Sequence, residues 1–477
     1  MAATERPQLP EPFRDRTRDG AAVAAGAVAA AALGAAAVAF ATRVSIAHAQ
    51  WILVGLVAVP TVAVLAFRRP YVAVLAVFAA FPFASVTILP SLQLVESVAL
   101  AGAVIVGLSR LSRGETLLSW APEFWWLVAI LVWTLVSFRS ASDNLLAAKQ
   151  VAQLVAVTIF GCLVLSACRR RSETRILIGG LIAVAVIVVL VGLSSGQASR
   201  VSTSLGGENI QGRLHGSFTQ PNQLGSFCAL TLLVALGAVF AARSHRWRAV
   251  AAIASAVILV GLLLSYSRGA WIGLAVGALV FCIAVRPARR TLLVLAVPVI
   301  IVGVLSGSFA ASRPEVKVIE LRAKSIRERS PYDNRTSVWT EALREVRTSP
   351  VTGVGPGNFP VASTRAASAT STIAADHAHD IWLNWAAETG IPGALLVTGF
   401  MVTLIAVARR SRLIARAVHD DAAYALIAGL GAGLLSVLVQ GFIDYTIRNT
   451  PNLFAVFAAI GLLLALAREM RARAATA

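Results

Sequence analysis

Apolar segments of about 17 to 22 residues alternate with short polar connections along most of this chain. A helix of roughly 20 apolar residues crosses about 30 Å of hydrocarbon and satisfies its own backbone hydrogen bonds there. The pattern therefore predicts an all-α fold, a polytopic bundle of about 12 to 14 transmembrane helices. The spans are expected at roughly 21–42, 51–67, 71–88, 92–108, 120–137, 150–168, 176–195, 222–242, 248–265, 269–285, 291–310, 391–408, 422–443 and 451–467.

The polar segments set the organisation of the chain. The first apolar run is too long for a typical signal-peptide core, so we expect an uncleaved helix there. We divide the chain into a cytoplasmic tail (1–20), transmembrane helices (21–195), transmembrane helices that include a first outer motif loop (196–310), a long extracytoplasmic loop (311–390), carboxyl-terminal transmembrane helices (391–467) and a second cytoplasmic tail (468–477).

Two amphipathic helices are expected in the long loop. In the first, "PEVKVIELRAKSIRERS", apolar residues recur at helical spacing from Val316 to Ile326. Asp333 or Asn334 can cap the second, which would pack through Trp339, Leu343 and Val346. The glycine-rich turn that begins at Gly353 should end it.

Composition excludes an ordinary soluble protein. The 477 residues are 57% hydrophobic and 14% charged, with a mean hydropathy of +0.77. A net charge of +19 would suggest a nucleic-acid partner in a soluble chain. Here the arginines recur in every second connection, the bias typical of cytoplasmic loops, which places both termini in the cytoplasm. The charge therefore indicates topology in the plasma membrane, and we expect no nucleic-acid partner.

The four cysteines predict neither a disulfide nor a metal site. They lie within or at the ends of predicted spans and show no pairing pattern and no metal-ligand spacing; they are Cys162, Cys168, Cys228 and Cys282.

Four stretches after residue 200 contain the candidate functional residues, and they follow one another in a recognisable order. They are "GRLHGSFTQPNQLGSF" from Gly212, "SYSRGAWIGL" from Ser265, "NRTSVWTEALREVRTSPVTGVGPGNF" from Asn334 and "HAHDIWLNWAAETGIPG" from His377. Together they resemble the O-antigen ligase and O-antigen polymerase superfamily of bacterial membrane glycosyltransferases. The resemblance covers roughly residues 200–450.

The resemblance implies transfer of a glycan from a polyprenyl-pyrophosphate carrier to an acceptor hydroxyl on the outer face of the plasma membrane. The acceptor hydroxyl would belong to a lipid, a glycan or a protein. The resemblance also implies an inverting enzyme that needs no metal and no other cofactor.

Three outer arginines are candidates for neutralising the departing pyrophosphate, because a guanidinium binds phosphate oxygens bidentately and stays charged. Arg268 stands in a very short turn between two spans, where it could instead anchor the chain at the interface. Arg213 lies near Asn222 in the shorter outer loop and could be a surface charge. Arg335 precedes Trp339 at the family's spacing and could be a charge at a helix start, which the helix dipole disfavours.

His379 is the candidate general base. The family's catalytic histidine falls at this position, and the pKa of imidazole suits proton transfer near neutral pH. Asp380 replaces the asparagine that usually follows; its carboxylate could orient the imidazole or raise its pKa. His377, two residues away, would point to a different side of a helix.

Two further acids are supporting candidates. Glu388 matches the family's later acid, or is a helix-surface acid near the membrane boundary. Asp444 lies on the same outer face as the arginines, where it could hold one of them or serve only as an interfacial polar residue.

Several functions stay open. A ligase and a polymerase use the same donor and differ in the acceptor, and the "HAHD" context favours the ligase. An anion transporter could also use outer arginines, although the inner half of the chain shows no polar path. A non-catalytic partner in glycan assembly would hold the lipid-linked glycan without needing His379 as a base.

Overall fold

The computed structural model of the chain describes residues 48–83, 87–89, 92–197, 202–204, 209–290, 335–370 and 374–476. The predicted spans at 21–42 and 291–310, the first amphipathic segment of the long loop and the candidate caps Asp333 and Asn334 lie outside these ranges.

The described chain is a helical bundle with two short hairpins. Its α-helices are α1 (His48–Arg68), α2 (Tyr71–Ala80), α3 (Leu94–Leu111), α4 (Trp125–Ser137), α5 (Asn144–Ala167), α6 (Arg171–Ser194), α7 (Pro221–Ala241), α8 (His245–Leu264), α9 (Arg268–Ala284), α10 (Arg335–Thr348), α11 (Phe359–Thr370), α12 (Ile381–Ala417), α13 (Asp421–Gly441) and α14 (Thr450–Thr476). The antiparallel hairpins pair β1 (Thr87–Leu89) with β2 (Leu92–Gln93) and β3 (Ser202–Ser204) with β4 (Asn209–Gln211).

The prediction of an all-α polytopic bundle is confirmed. Nine helices in the described ranges are long and apolar enough to cross a membrane, and three shorter apolar helices accompany them. The two hairpins were not predicted; each has strands of only two or three residues, too short to show an alternating pattern.

The core extends over α2, α5, α6, α7, α13 and α14. Helices α7 and α9 both pack closely against α13. Small residues let these helices approach closely, as is common in membrane bundles. A Cβ at Gly273 of α9 would lie 2.3 Å from the carbonyl oxygen of Ser436, and one at Gly429 of α13 would lie 2.6 Å from that of Leu233. Helix α14 is buried along most of its length.

Helix α12 begins ten residues earlier than the predicted span at 391–408 and is broken at Gly390, where φ is 74°. Pro392 has no N–H, and the backbone groups freed by the break bond to the 350–355 turn. Ile391 N–H donates to Pro350 O at 2.8 Å, and Gly355 N–H donates to Glu388 O at 3.0 Å. The segment "ETGIPG" therefore continues a helix, and the glycine-rich turn completes its hydrogen bonds.

Helix α10 ends at Thr348, before the glycine-rich turn, as predicted, but its packed face differs from the prediction. Val338 and Ala342 are buried, whereas Leu343 is exposed and Trp339 half-buried. The buried face follows the i, i+4 spacing of Val338, Ala342 and Val346, which packs against α12. The prediction followed the largest side chains and therefore chose the neighbouring face of the helix.

Ion pairs join the helices at the end of the bundle opposite the motif residues. Asp420 accepts from Arg171 at 2.6 Å and from Arg473 at 3.0 Å, which links the start of α13 to α6 and α14. Burial raises the pKa of Asp420, but these guanidinium groups outweigh it and hold the pKa below its usual value.

Candidate active site

The four sequence motifs meet at one end of the bundle. Helices α7, α9, α10, α12 and α14 begin there and α8 and α13 end there. Hydrogen bonds or close charges join six of the predicted site residues at this end, namely His377, His379, Asp444, Asn222, Arg213 and Arg335.

Two histidines converge on one carboxylate. Nδ1 of His379 lies 3.1 Å from Oδ1 of Asp444, and Nε2 of His377 lies 3.6 Å from the same oxygen. The two imidazole centroids are 4.2 Å apart. The expectation that His377 would point to a different side was therefore wrong, because both histidines precede α12 instead of lying on it.

The backbone conformation at His379 brings the two imidazoles to the same carboxylate. His379 has φ of 53°, in the left-handed region that residues other than glycine rarely adopt and that often marks functional sites. Asp380 then caps α12, its Oδ1 accepting from Leu383 N–H at 2.8 Å. The carboxylate that contacts His379 is thus Asp444, and the hypothesis that Asp380 orients the imidazole is wrong.

Asp444 is an ionised, buried carboxylate. Burial raises its pKa, but hydrogen bonds from His377 and His379 and the nearby charge of Arg335 lower the pKa well below its usual value. An ionised carboxylate only accepts hydrogen bonds, so Nδ1 of a neutral His379 carries the proton and Nε2 keeps a lone pair. The side chain of His379 is 29% exposed, which leaves Nε2 within reach of a ligand.

His377 is held neutral by its surroundings. Burial lowers its pKa, and the neighbouring His379 and Arg448 lower it further; the contact with Asp444 opposes them without reversing the direction. His377 therefore supports Asp444 and adds no charge near neutral pH.

A polar relay links Asp444 to the first motif. Nδ2 of Asn222 donates to Oδ2 of Asp444 at 2.7 Å, and Oδ1 of Asn222 accepts from Arg213 at 2.6 Å. Nε of Arg213 donates to the carbonyl oxygen of Ser265, at 2.9 Å, just before the turn that carries Arg268. Both carboxylate oxygens of Asp444 are thus occupied, which fixes its orientation.

Arg268 and Arg335 begin helices beside this relay. Arg268 is the half-buried first residue of α9, and its neighbour Gly269 packs against Gln440 and Ile443, next to Asp444. Arg335 is the first residue of α10 and close enough to Asp444 to lower its pKa. Three guanidinium groups, counting Arg213, therefore lie at the same end as His379.

Glu388 has a structural position. Its buried carboxylate is bonded to the side chain of Asn384 and to the backbone N–H groups of Gly357 and Phe359, at the start of α11. It joins α12 to the glycine-rich turn.

Arg448 was missed by the sequence analysis. It donates to the carbonyl oxygen of Asp376 and lies close to His377 and Glu388. The sequence feature that could have identified Arg448 is its position in "DYTIRN", four residues after Asp444. The indole N–H of Trp339, one helical turn after Arg335, has no acceptor among the described residues.

The histidine pair also has the spacing of metal ligands. The ligand atoms of His377, His379 and Asp444 all lie within 4.8 Å of one another, a set that a divalent metal could use. The same atoms fit a hydrogen-bonded base, because Asp444 faces both rings and is oriented by Asn222. Sequence analysis found no metal-ligand pattern because Asp444 lies 65 residues after His379.

A cavity of about 430 Å³ opens at the same end, between the α4–α5 connection and helices α10 and α11. Hydroxyl, amide and guanidinium groups line it, including Ser140, Ser142, Thr348, Asn358, Arg344 and Arg365. Such a lining suits a ligand with many hydroxyl groups.

Comparison with known proteins supports the resemblance drawn from the motifs. Residues 252–398 match the family model described as O-Antigen ligase. The chain is 27% identical over 297 residues to the exopolysaccharide production protein ExoQ of Rhizobium meliloti (strain 1021), covering 59% of this chain and 64% of that protein's length. The chain thus spans less than two thirds of this relative. Together these matches confirm the resemblance to the O-antigen ligase and polymerase superfamily.

Among solved structures, the chain is similar to one from the work described as "Structural coordination of polymerization and crosslinking by a peptidoglycan synthase complex". The two share 18% sequence identity with a TM-score of 0.41, over 74% of this chain and 98% of the other.

Proposed function

We propose that this protein is a membrane glycosyltransferase that moves a glycan from a polyprenyl-pyrophosphate carrier to an acceptor hydroxyl. The observation that carries the proposal is the contact of His379 with the buried, ionised Asp444, at the end of the bundle where the candidate arginines lie. The family match and the exopolysaccharide relative support the class of reaction.

In the proposed reaction, the acceptor oxygen attacks the anomeric carbon of the carrier-linked glycan. Nε2 of His379 takes the acceptor proton, while Asp444 stabilises the imidazolium that forms. The bond from the anomeric carbon to the pyrophosphate oxygen breaks, and its electron pair leaves with the polyprenyl pyrophosphate. One displacement of this kind inverts the anomeric configuration.

The departing pyrophosphate gains negative charge, and Arg268, Arg335 and Arg213 would stabilise it. This proposed mechanism uses guanidinium groups for the role that a metal plays elsewhere. The arginine pattern of the connections supports a site on the outer face of the plasma membrane, with both termini in the cytoplasm. We assign the 430 Å³ cavity to sugar units of the donor or acceptor, because its lining offers hydroxyl and guanidinium donors.

The test is reconstitution of wild-type and His379→Ala protein in liposomes with a polyprenyl-pyrophosphate glycan and an acceptor lipid. We expect the wild type to transfer glycan and the variant to lose at least about a hundredfold in rate. Transfer of the whole glycan to the acceptor lipid indicates a ligase, and a ladder of lengths on the carrier indicates a polymerase.

If both proteins bind the glycan and neither changes it, the enzyme proposal is wrong and the protein holds glycan for a partner. The same liposomes test the transporter alternative. Uptake of a labelled anion with no glycan transfer would show a transporter and contradict the enzyme proposal.

A further inference from the structure

A groove with a charged mouth opens at the end of the bundle opposite the candidate site. Its polar part is a cavity of about 280 Å³ lined by Arg409, Arg412, Arg416 and Tyr424 together with residues of α9. Its apolar part is a cavity of about 160 Å³ between α9, α12, α13 and α14, and its lining extends to Ile447, three residues after Asp444. Val280, Arg409 and Arg412 line both parts, so the charged mouth leads directly into the apolar space.

The arginines form one face of α12. Their spacing of three and four residues puts them on the same side of the helix. Arg409 follows Ile381 by 28 positions, which is roughly 40 Å of helix and close to the thickness of a bilayer with its headgroups. The charged mouth of the groove and the candidate site therefore face opposite leaflets.

The charge of this face is not neutralised within the described residues. The ion pairs at this end, among them those of Asp420 and Glu469 with Arg171 and Arg473, include none of the three arginines of the groove. The exposed carboxylate of Asp421 makes no ion pair with these arginines either. Three guanidinium groups thus border an apolar space and have no ion-pair partner in the part of the chain that the structure describes.

We propose that this groove binds one anionic phospholipid of the leaflet opposite the candidate site. Its phosphate lies on Arg409, Arg412 and Arg416, and a segment of one acyl chain enters the cavity between α9 and α12. Charge selects an anionic headgroup, and the apolar extension selects a molecule with a tail. A phospholipid fits better than the polyprenyl carrier, because the carrier's pyrophosphate is assigned to the other end.

The first test uses delipidated full-length protein in a neutral detergent, titrated with dioleoylphosphatidylglycerol and followed by thermal unfolding and native mass spectrometry. We expect the combined Arg409→Gln, Arg412→Gln and Arg416→Gln variant to bind at least fivefold more weakly than the wild type. The matched control combines Arg243→Gln, Arg246→Gln and Arg248→Gln, which remove an exposed basic cluster at the same end. It should bind the lipid as the wild type does.

The combined Arg409→Lys, Arg412→Lys and Arg416→Lys variant controls for misfolding, since it keeps the charge and should keep most of the binding. Equal loss in both glutamine variants would show only attraction to a basic surface and would overturn the proposal. Loss in the lysine variant would equally contradict a site selected by charge.

The second test addresses the tail. Val280→Trp fills the junction between the two parts of the groove and should weaken phosphatidylglycerol binding, whereas Leu279→Trp, at an exposed neighbouring position, should not. Glycerol phosphate, which lacks a tail, should stabilise the protein far less than the lipid. Equal stabilisation by glycerol phosphate, or displacement of the lipid by a lower concentration of polyprenyl phosphate, would overturn the assignment.

Discussion

The imidazole Nδ1 of His379 lies 3.1 Å from Oδ1 of Asp444, and the same carboxylate accepts from Asn222 through its other oxygen. A carboxylate in this position selects the tautomer of the histidine and stabilises its protonated form. Asp380, directly beside His379 in sequence, instead caps helix α12. The structure therefore separates two carboxylates that the sequence places near the same base.

This separation predicts opposite results for two matched substitutions. Asp444→Asn removes the charge that stabilises the imidazolium, and we expect transfer to fall about a hundredfold or more. Asp380→Asn keeps a good helix cap, because aspartate and asparagine are equivalent at that position, and should stay within about threefold of wild type. Glycan transfer in liposomes measures both, and equal losses would contradict the assignment of Asp444.

Arg268 is expected to act on the transition state. Removing one donor that stabilises developing charge costs about 3 kcal/mol, roughly a hundredfold in rate, so Arg268→Ala should nearly abolish transfer. Arg347→Ala, an exposed arginine on α10, is the control and should transfer normally. Normal transfer by Arg268→Ala, with the protein present in the membrane, would leave Arg268 as an interfacial anchor.

Metal removal distinguishes a hydrogen-bonded base from a metal site at His377, His379 and Asp444. The proposed mechanism has no metal step, so wild-type protein treated with EDTA and purified into metal-free buffer should keep its transfer rate within about twofold. A loss that zinc or manganese restores would instead assign His377, His379 and Asp444 as metal ligands. Inductively coupled plasma mass spectrometry of the purified protein gives an independent count of bound metal.

How much of this site could be predicted depended on the range of the interactions. The helices and the four motifs follow from local patterns, since apolar length and motif order are read over short windows. The grouping of His379 with Asp444 could not be read this way, because it needs a positive φ at His379 and a contact across 65 residues. Helix α12 was placed too late because the glycine and proline at 390 and 392 suggested a start, while the 350–355 turn supplies the missing bonds.

His377 predicts a pH dependence of stability. The pKa of His377 in the folded protein is lowered from 6.5, mainly by burial. The unfolded chain therefore binds more protons than the folded protein as the pH falls below about 6.5. The free energy of unfolding should therefore decrease between pH 7.5 and 5.5, and His377→Gln should show a smaller decrease. Thermal unfolding in detergent measures this, with the exposed His245→Gln as control. An equal pH dependence in all three proteins would show that His377 is not the titrating group.

The break in α12 predicts a structural requirement for glycine at position 390. With φ of 74°, an added Cβ would lie 2.0 Å from the carbonyl oxygen of Val351, in the turn whose neighbouring groups bond to the break. Backbone strain alone costs about 1–3 kcal/mol, and displacing the turn would also disturb Glu388, so Gly390→Ala should unfold at a clearly lower temperature. Gly179→Ala in α6 is the control, because no atom lies within 4 Å of its added Cβ and alanine favours helix by about 1 kcal/mol. If both variants unfold at the wild-type temperature, the turn does not support the helix that follows the base, and the position of His379 must depend on its contact with Asp444 instead.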